Sequence, residues 1–179
     1  DHVNPPLLGM KKVRSVDSIR RALMKLDAEE ADVWMTKNQM KVYEPLLYEP
    51  WILDMDATVK TVYGHQEGAV VGYNPQKPGR PSHTYHTYFI ANLRIILDVE
   101  VQAGNKISAL YTRPRLMKFL DSLPVEARPK FARGDCAWGN EGAMCDFEQR
   151  GIPYLFKVRQ TPGVKRLIFA SAGFAESNR

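Results

Sequence analysis

At Trp51 the chain changes its hydrophobic period, and that change commits its centre to a sheet. Before it the repeat is helical. Val16, Ile19, Leu23 and Leu26 recur every three or four residues with charges between them, and Ser15 can cap the start. A second helical stretch, from about Glu29 to Leu47, carries Val33, Trp34, Met40 and Tyr43 and stops before Pro50. From Trp51 the run Trp-Ile-Leu-Asp-Met-Asp-Ala-Thr-Val alternates, so Ile52 and Leu53 lead into Asp54 and Asp56 on one strand face. This predicts a central strand ending in acid. Residues Tyr63 to His83 then concentrate Gly and Pro, which predicts neither helix nor ladder strand there.

Two β-rich runs follow, Tyr85–Ala91 and Ile95–Val101, joined by Asn92-Leu93-Arg94 as a hairpin. Leu110, Leu116, Phe119 and Leu120 predict a helix to about Ser122, ended by Pro124. Phe131-Ala-Arg-Gly-Asp135 reads as another strand running into acid, Gly139–Arg150 as a helix stopped by Gly151, and Tyr154–Val158 as a last strand. The expected fold is therefore α/β: three antiparallel strands, then two parallel strands entered through helices, which is the ribonuclease-H-like order. The expected division is a helical arm over residues 1–50 and a core over 51–179.

The chain has 179 residues, 44% apolar and 25% charged, which excludes disorder, collagen-like repetition and a pure coiled coil. No run approaches the roughly 18 apolar residues of a membrane span, and the start Asp1-His2-Val3 lacks a signal-peptide pattern. A cytoplasmic protein with no membrane partner is expected. A first residue other than Met suggests a processed product or an excerpt. Cys136 and Cys145 match no zinc spacing and are read as buried or half-buried thiols. The net charge of +5 lies wholly in Arg150–Arg179, where six cations face the single acid Glu176. Such a run is either a solvated tail or a surface for a polyanion.

Asp56 and Asp135 end two candidate core strands, and parallel neighbours bring such ends together. Hard divalent ions need several oxygen ligands, and two-ion phosphoryl transfer needs carboxylates around ions about 4 Å apart. The alternative is that each Asp caps the next turn. His65, His83 and His86 complete no four-ligand metal set and are read as hydrogen-bonding residues, and Tyr85, Tyr88 and Phe89 as packing. In the loop Gly72–Ser82, Lys77 and Arg80 in a Gly/Pro frame are either phosphate grips or solvated cations, and Tyr73 is free to stack or hydrogen-bond.

The words Leu53-Asp-Met-Asp-Ala-Thr-Val59, Tyr63-Gly-His-Gln-Glu-Gly68, Gly72-Tyr-Asn-Pro75 with Lys77-Pro-Gly-Arg-Pro-Ser82, Ala103-Gly-Asn105, Arg133-Gly-Asp135 and Arg150-Gly-Ile-Pro-Tyr154 stand in this order. Together they resemble the DDE catalytic domain of bacterial insertion-sequence transposases, over about Val13 to Arg159. The resemblance implies DNA cleavage and strand transfer at element ends. It implies Mg or Mn ions held by Asp56 and Asp135 as catalytic and metal-binding residues, with Asp54 as a helper or rival. It further implies transposon-end and target DNA as partners, contacted through Tyr73, Asn74, Lys77 and Arg80, a homodimer in the DNA complex, and a bacterial cytoplasmic setting. The family's third carboxylate, a Glu in a Tyr-x-x-Arg-x-x-x-Glu setting, has no match from Gln160 to Arg179, and Glu176 lacks those neighbours. The core is therefore expected to be incomplete at its C-terminus and nearly inactive alone. The competing readings are a non-catalytic DNA-binding remnant and an unrelated ribonuclease-H-like nuclease.

Overall fold

The structure is a computed structural model that describes residue 9, residues 11–12 and residues 14–171. Two compact units divide it, Asp1–Val42 and Tyr43–Arg179. Helix α1 (Val16–Leu23) begins the first, with the Ser15 hydroxyl accepting the N–H of Ser18 at 3.2 Å. Asp27 starts α2 (Ala28–Tyr43), its carboxylate accepting the N–H groups of Glu29 and Glu30, both at 3.0 Å. Pro45 has no N–H to continue the ladder, and the helix tightens into a 3₁₀ turn over Glu44–Tyr48.

The second unit contains β1 (Ile52–Thr61), β2 (Val70–Val71), β3 (Pro81–Ile90), β4 (Ile95–Ala103), α3 (Arg113–Ser122), β5 (Phe131–Gly139), α4 (Glu141–Gln149), β6 (Tyr154–Val158) and α5 (Pro162–Ala170). They build one six-stranded sheet in the order β2-β3-β1-β5-β6, with β4 also paired to β3. The pairs β1–β3, β3–β4 and β2–β3 are antiparallel, while β1–β5 and β5–β6 are parallel. Three long antiparallel strands followed by two helix-entered parallel strands make this a ribonuclease-H-like sheet, as the element order predicts.

One sheet face carries the core. Leu53, Met55, Tyr88, Ile90, Leu97 and Ala132 are buried there, with Leu116 and Leu120 of α3, Ala143 and Phe147 of α4, and Trp138. Trp51 seals one end, its indole N–H donating to the carbonyl of Ala127 at 3.0 Å. The Asn92 side chain ties the hairpin to β1 by accepting the N–H of Ile52 and donating to the carbonyl of Pro50. Ion pairs fasten the helices. Arg115 holds Asp98 of β4, and Arg150 at the end of α4 holds Asp121 of α3.

Several expectations are corrected. The Gly/Pro-rich stretch does enter the sheet, because Val70–Val71 pairs with Pro81–Ser82 and Pro81 occupies the first position of β3, where a proline is tolerated. Strand β1 does not end in acid. It runs five residues past Asp56 to Thr61, held by β3 over Leu53–Thr61 against Ser82–Ile90. Helix α3 starts at Arg113 rather than near Leu110, which is exposed on the preceding turn. Both cysteines are exposed. Cys136 lies in an irregular part of β5, and Cys145 on the side of α4 away from Ala143 and Phe147. Glu176 and Arg179 lie outside the described residues.

Burial pushes the Tyr43 hydroxyl up to about 12, and that of Tyr88 further. Both folded values are raised, so their contribution to stability is full below the ordinary tyrosine value near 10 and declines as pH rises through the folded values. Urea midpoints are expected to agree between about pH 7 and about pH 9 and to fall clearly by about pH 11. Tyrosinate absorbance followed during base titration should show two of the eight tyrosines ionising only as the fold is lost. Ordinary titration of all eight would disprove this.

Candidate active site

The parallel part of the sheet sets the site. Strands β1 and β5 pair from Ile52↔Phe131 to Met55↔Gly134, and Asp56 and Asp135 each follow the last pair by one residue. Both are exposed. Asp54 faces Arg133 across the ladder, and the guanidinium holds its carboxylate at 2.6 Å. Asp54 is thus charge-compensated. The Asp56 carboxylate, on the same strand face by alternation, has no hydrogen bond or ion pair among the described residues, although its backbone carbonyl accepts from the Thr87 hydroxyl at 3.3 Å.

Asp135 is shaped by a local break in β5. Its register with β6 shifts between Gly134 and Gly139. There Asp135 Oδ1 accepts the N–H of Ala137 at 2.9 Å. The chain folds so closely that a Cβ on Gly134 would lie 2.8 Å from the Cβ of Trp138. Glycine is required by that approach. Beside the carboxylates a shallow depression of about 520 Å3 is lined by Asp54, Arg133, Gly134, Leu155, Phe156 and Lys157.

Exposed carboxylates without a cationic partner, such as Asp56 and Asp135 on these neighbouring strands, are the hard oxygen donors that a small divalent ion keeping several waters prefers. Among the described residues no group of three or more His, Cys, Asp or Glu side chains is placed to hold a metal. Asp56 and Asp135 stand at matching positions of the two parallel strands, one residue beyond the last ladder pair.

The loop after β2 is fixed by a second close approach. A Cβ on Gly72 would sit 2.1 Å from the carbonyl oxygen of Gly104, and one on Gly104 would sit 2.2 Å from the Ser82 hydroxyl. The words Gly72-Tyr-Asn-Pro75 and Ala103-Gly-Asn105 are therefore two sides of one contact. Asn74 is buried and braces the loop, donating to the Thr61 hydroxyl at 2.9 Å and accepting the N–H of Lys77 at 3.0 Å. Tyr73, Lys77 and Arg80 are exposed, and the Arg80 guanidinium lies 5.7 Å from the centre of the Tyr63 ring.

Sequence reasoning placed Asp54 beside Asp56 without seeing its partner Arg133, and it placed neither Lys157 in the depression beside them nor Tyr63 against Arg80. The available signal was the parallel pairing itself, which sets Arg133 opposite Asp54. His86 is buried and shares a hydrogen bond of 2.8 Å with the carbonyl of Lys106.

No family model matches the chain, and no curated protein does. Among solved structures it is similar to the HTLV-2 integrase catalytic core domain in complex with magnesium, at 12% identity and a TM-score of 0.38, covering 65% of this chain and 63% of that one. It is also similar to a chain of the simian T-cell lymphotropic virus intasome in complex with a PP2A regulatory subunit, at 12% identity and a TM-score of 0.39, covering 67% and 36%. The chain thus spans less than two thirds of either relative. Likeness at this level carries no inference about activity, and the ribonuclease-H-like assignment stands on strand order and direction.

Proposed function

We propose that the Tyr43–Arg179 unit is the core of a DNA transposase of the DDE type, acting at insertion-sequence ends in a bacterial cytoplasm. The observation that carries this reading is the uncompensated Asp56 carboxylate beside Asp135 where β1 and β5 part, while the neighbouring Asp54 is neutralised by Arg133. Adjacent strands lie about 4.8 Å apart, so two carboxylates at this position have the reach of one ion with bonds of about 2.1 Å. A bound Mg or Mn ion would supply Lewis-acid stabilisation of the negative charge that develops at a phosphodiester.

The chain's own residues bind and position the DNA. Thr61 lies five residues beyond Asp56 on β1, about 17 Å along an extended strand, and its hydroxyl anchors the loop through Asn74. By alternation Thr61 lies on the opposite face of β1 from Asp56, so its anchor holds the loop at the end of the strand, and DNA passing from the carboxylates over that end would meet Lys77 and Arg80. Those cations grip phosphates there, Tyr73 packs against the backbone or an unstacked base, and Asn74 keeps the loop in place. Among the described residues no third carboxylate joins Asp56 and Asp135 in a metal-holding group, which favours, as a second reading, a remnant that binds DNA without cutting it.

Duplex titration at about 50 and about 200 mM salt tests the proposal, because each phosphate contact adds about 0.9 to the salt slope. Affinity should fall with salt, and Lys77→Ala with Arg80→Ala should lower the slope by nearly 2. Binding that is undetectable at low salt, or indifferent to salt, would refute DNA as the partner. A nicking assay with Mn, run on this chain and on a version extended by a helix that bears the third carboxylate, separates the readings: nicks by the extended version that are lost in Asp135→Asn support the enzyme, and binding without nicks in both versions supports the remnant.

A further inference from the structure

We propose that the helical unit is a self-association surface, in which α1 of one copy lies against the first half of α2 of a second copy and the reciprocal contact closes the pair. This inference concerns the unit ending at Val42 and does not depend on the DNA reading. Helix α1 gathers its apolar residues into one stripe yet buries none of them: Val16 is 82% exposed and Leu23 61%. Along that stripe runs an open groove of about 390 Å3 lined by Arg14, Ser18, Ile19, Ala22, Leu23 and Leu26. Helix α2 leaves Val33, Trp34 and Met35 exposed, Trp34 by 65%. Exposed apolar surface concentrated on two successive helices marks a contact rather than scattered surface residues.

Charge selects the occupant. Residues 11–25 carry six cations, Lys11, Lys12, Arg14, Arg20, Arg21 and Lys25, against Asp17 alone. Residues 27–32 carry Asp27, Glu29, Glu30 and Asp32 and no cation. By helical position Arg20 flanks the Val16–Leu23 stripe, and Glu30 falls between Val33 and Trp34. The basic apolar stripe and the acidic apolar patch are complementary in both respects, and each copy of the chain offers one of each. A two-fold pair uses both twice, which is the condition for an isologous contact. An anionic membrane would suit the basic stripe but is repelled by the four acids that follow it.

Sedimentation of the full chain without DNA, over a range of concentrations, should show a monomer–dimer equilibrium. Ile19→Asp with Leu23→Asp should leave a monomer. Arg20→Glu with Arg21→Glu should weaken the dimer by about tenfold or more, and adding Glu29→Arg with Glu30→Arg to the same chain should recover most of the loss. All six positions are exposed, and an unchanged thermal transition would verify that the variants fold. A monomer at every concentration overturns the proposal. So does a dimer indifferent to the α1 variants, and so does binding to phosphatidylserine vesicles without self-association.

Discussion

Replacing Trp138 by Ala is expected to cost the Tyr43–Arg179 unit about 4 kcal/mol, within the usual range of about 3 to 5 for a buried Trp or Phe truncated to Ala. Trp138 is 3% exposed and sits among three aromatic rings, Tyr88 at 6.5 Å, Phe147 at 6.4 Å and Phe156 at 6.4 Å. The first two contacts are edge-on, an arrangement that adds about 0.5 to 1.5 kcal/mol per pair beyond burial. A domain holds only about 5 to 15 kcal/mol in all, so this loss brings it near its threshold. The same side chain also lies against Gly134, in the break that orients Asp135. Trp138→Ala should therefore loosen the Asp135 turn as well as the core, while Trp138→Phe keeps most of both. Urea unfolding followed by circular dichroism measures the first effect. A loss below about 1 kcal/mol would mean that the cluster repacks without it.

What the sequence shows and hides follows from the range of the forces. The alternation after Trp51 is local and legible, because β1 buries Leu53 and Met55 on one face and turns Asp54 and Asp56 to the other. Strand β6 is bounded as read, at Tyr154–Val158, since Pro153 and the β-rich run are adjacent signals. The length of β1 is not local. The alternation does continue through Ala57-Thr58-Val59, but two acids in that run also suit a strand end, and it is β3, pairing from about 25 residues away, that carries the ladder on to Thr61. The neutralised state of Asp54 depends on Arg133, 79 residues later, through the parallel register. Gly72 and Gly104 are visible as words, but the reason for them is a backbone contact that only the folded sheet creates. Helix α5 was legible and was missed: Thr161 accepts the N–H of Val164 at 3.3 Å and Pro162 follows it, a cap and a proline at the first helical turn.

Asp54 and Asp56 are two residues apart on one face, and titration with Mn should tell them apart. Asp56→Asn and Asp135→Asn should each weaken binding by more than tenfold, a difference of at least about 1.4 kcal/mol, because each removes a charged oxygen donor from a pair. Asp54→Asn removes no ligand but leaves the Arg133 guanidinium, paired to it at 2.6 Å, uncompensated beside the ion, so the affinity should fall by a smaller factor, about threefold. Its effect on stability should also be small, about 1 kcal/mol or less, because both partners are substantially exposed, 46% for Arg133 and 39% for Asp54. Arg133→Ala acts in the opposite direction. It releases the Asp54 carboxylate beside Asp56 and adds a third negative donor to the face, so Mn affinity should rise by several-fold while the fold is kept. The order expected from the titrations is Arg133→Ala tightest, then the unaltered chain, then Asp54→Asn, with Asp56→Asn and Asp135→Asn weakest. Equal losses in Asp54→Asn and Asp56→Asn would show that the ion recruits Asp54 away from Arg133, and the assignment of Asp56 and Asp135 as the sufficient pair would fall.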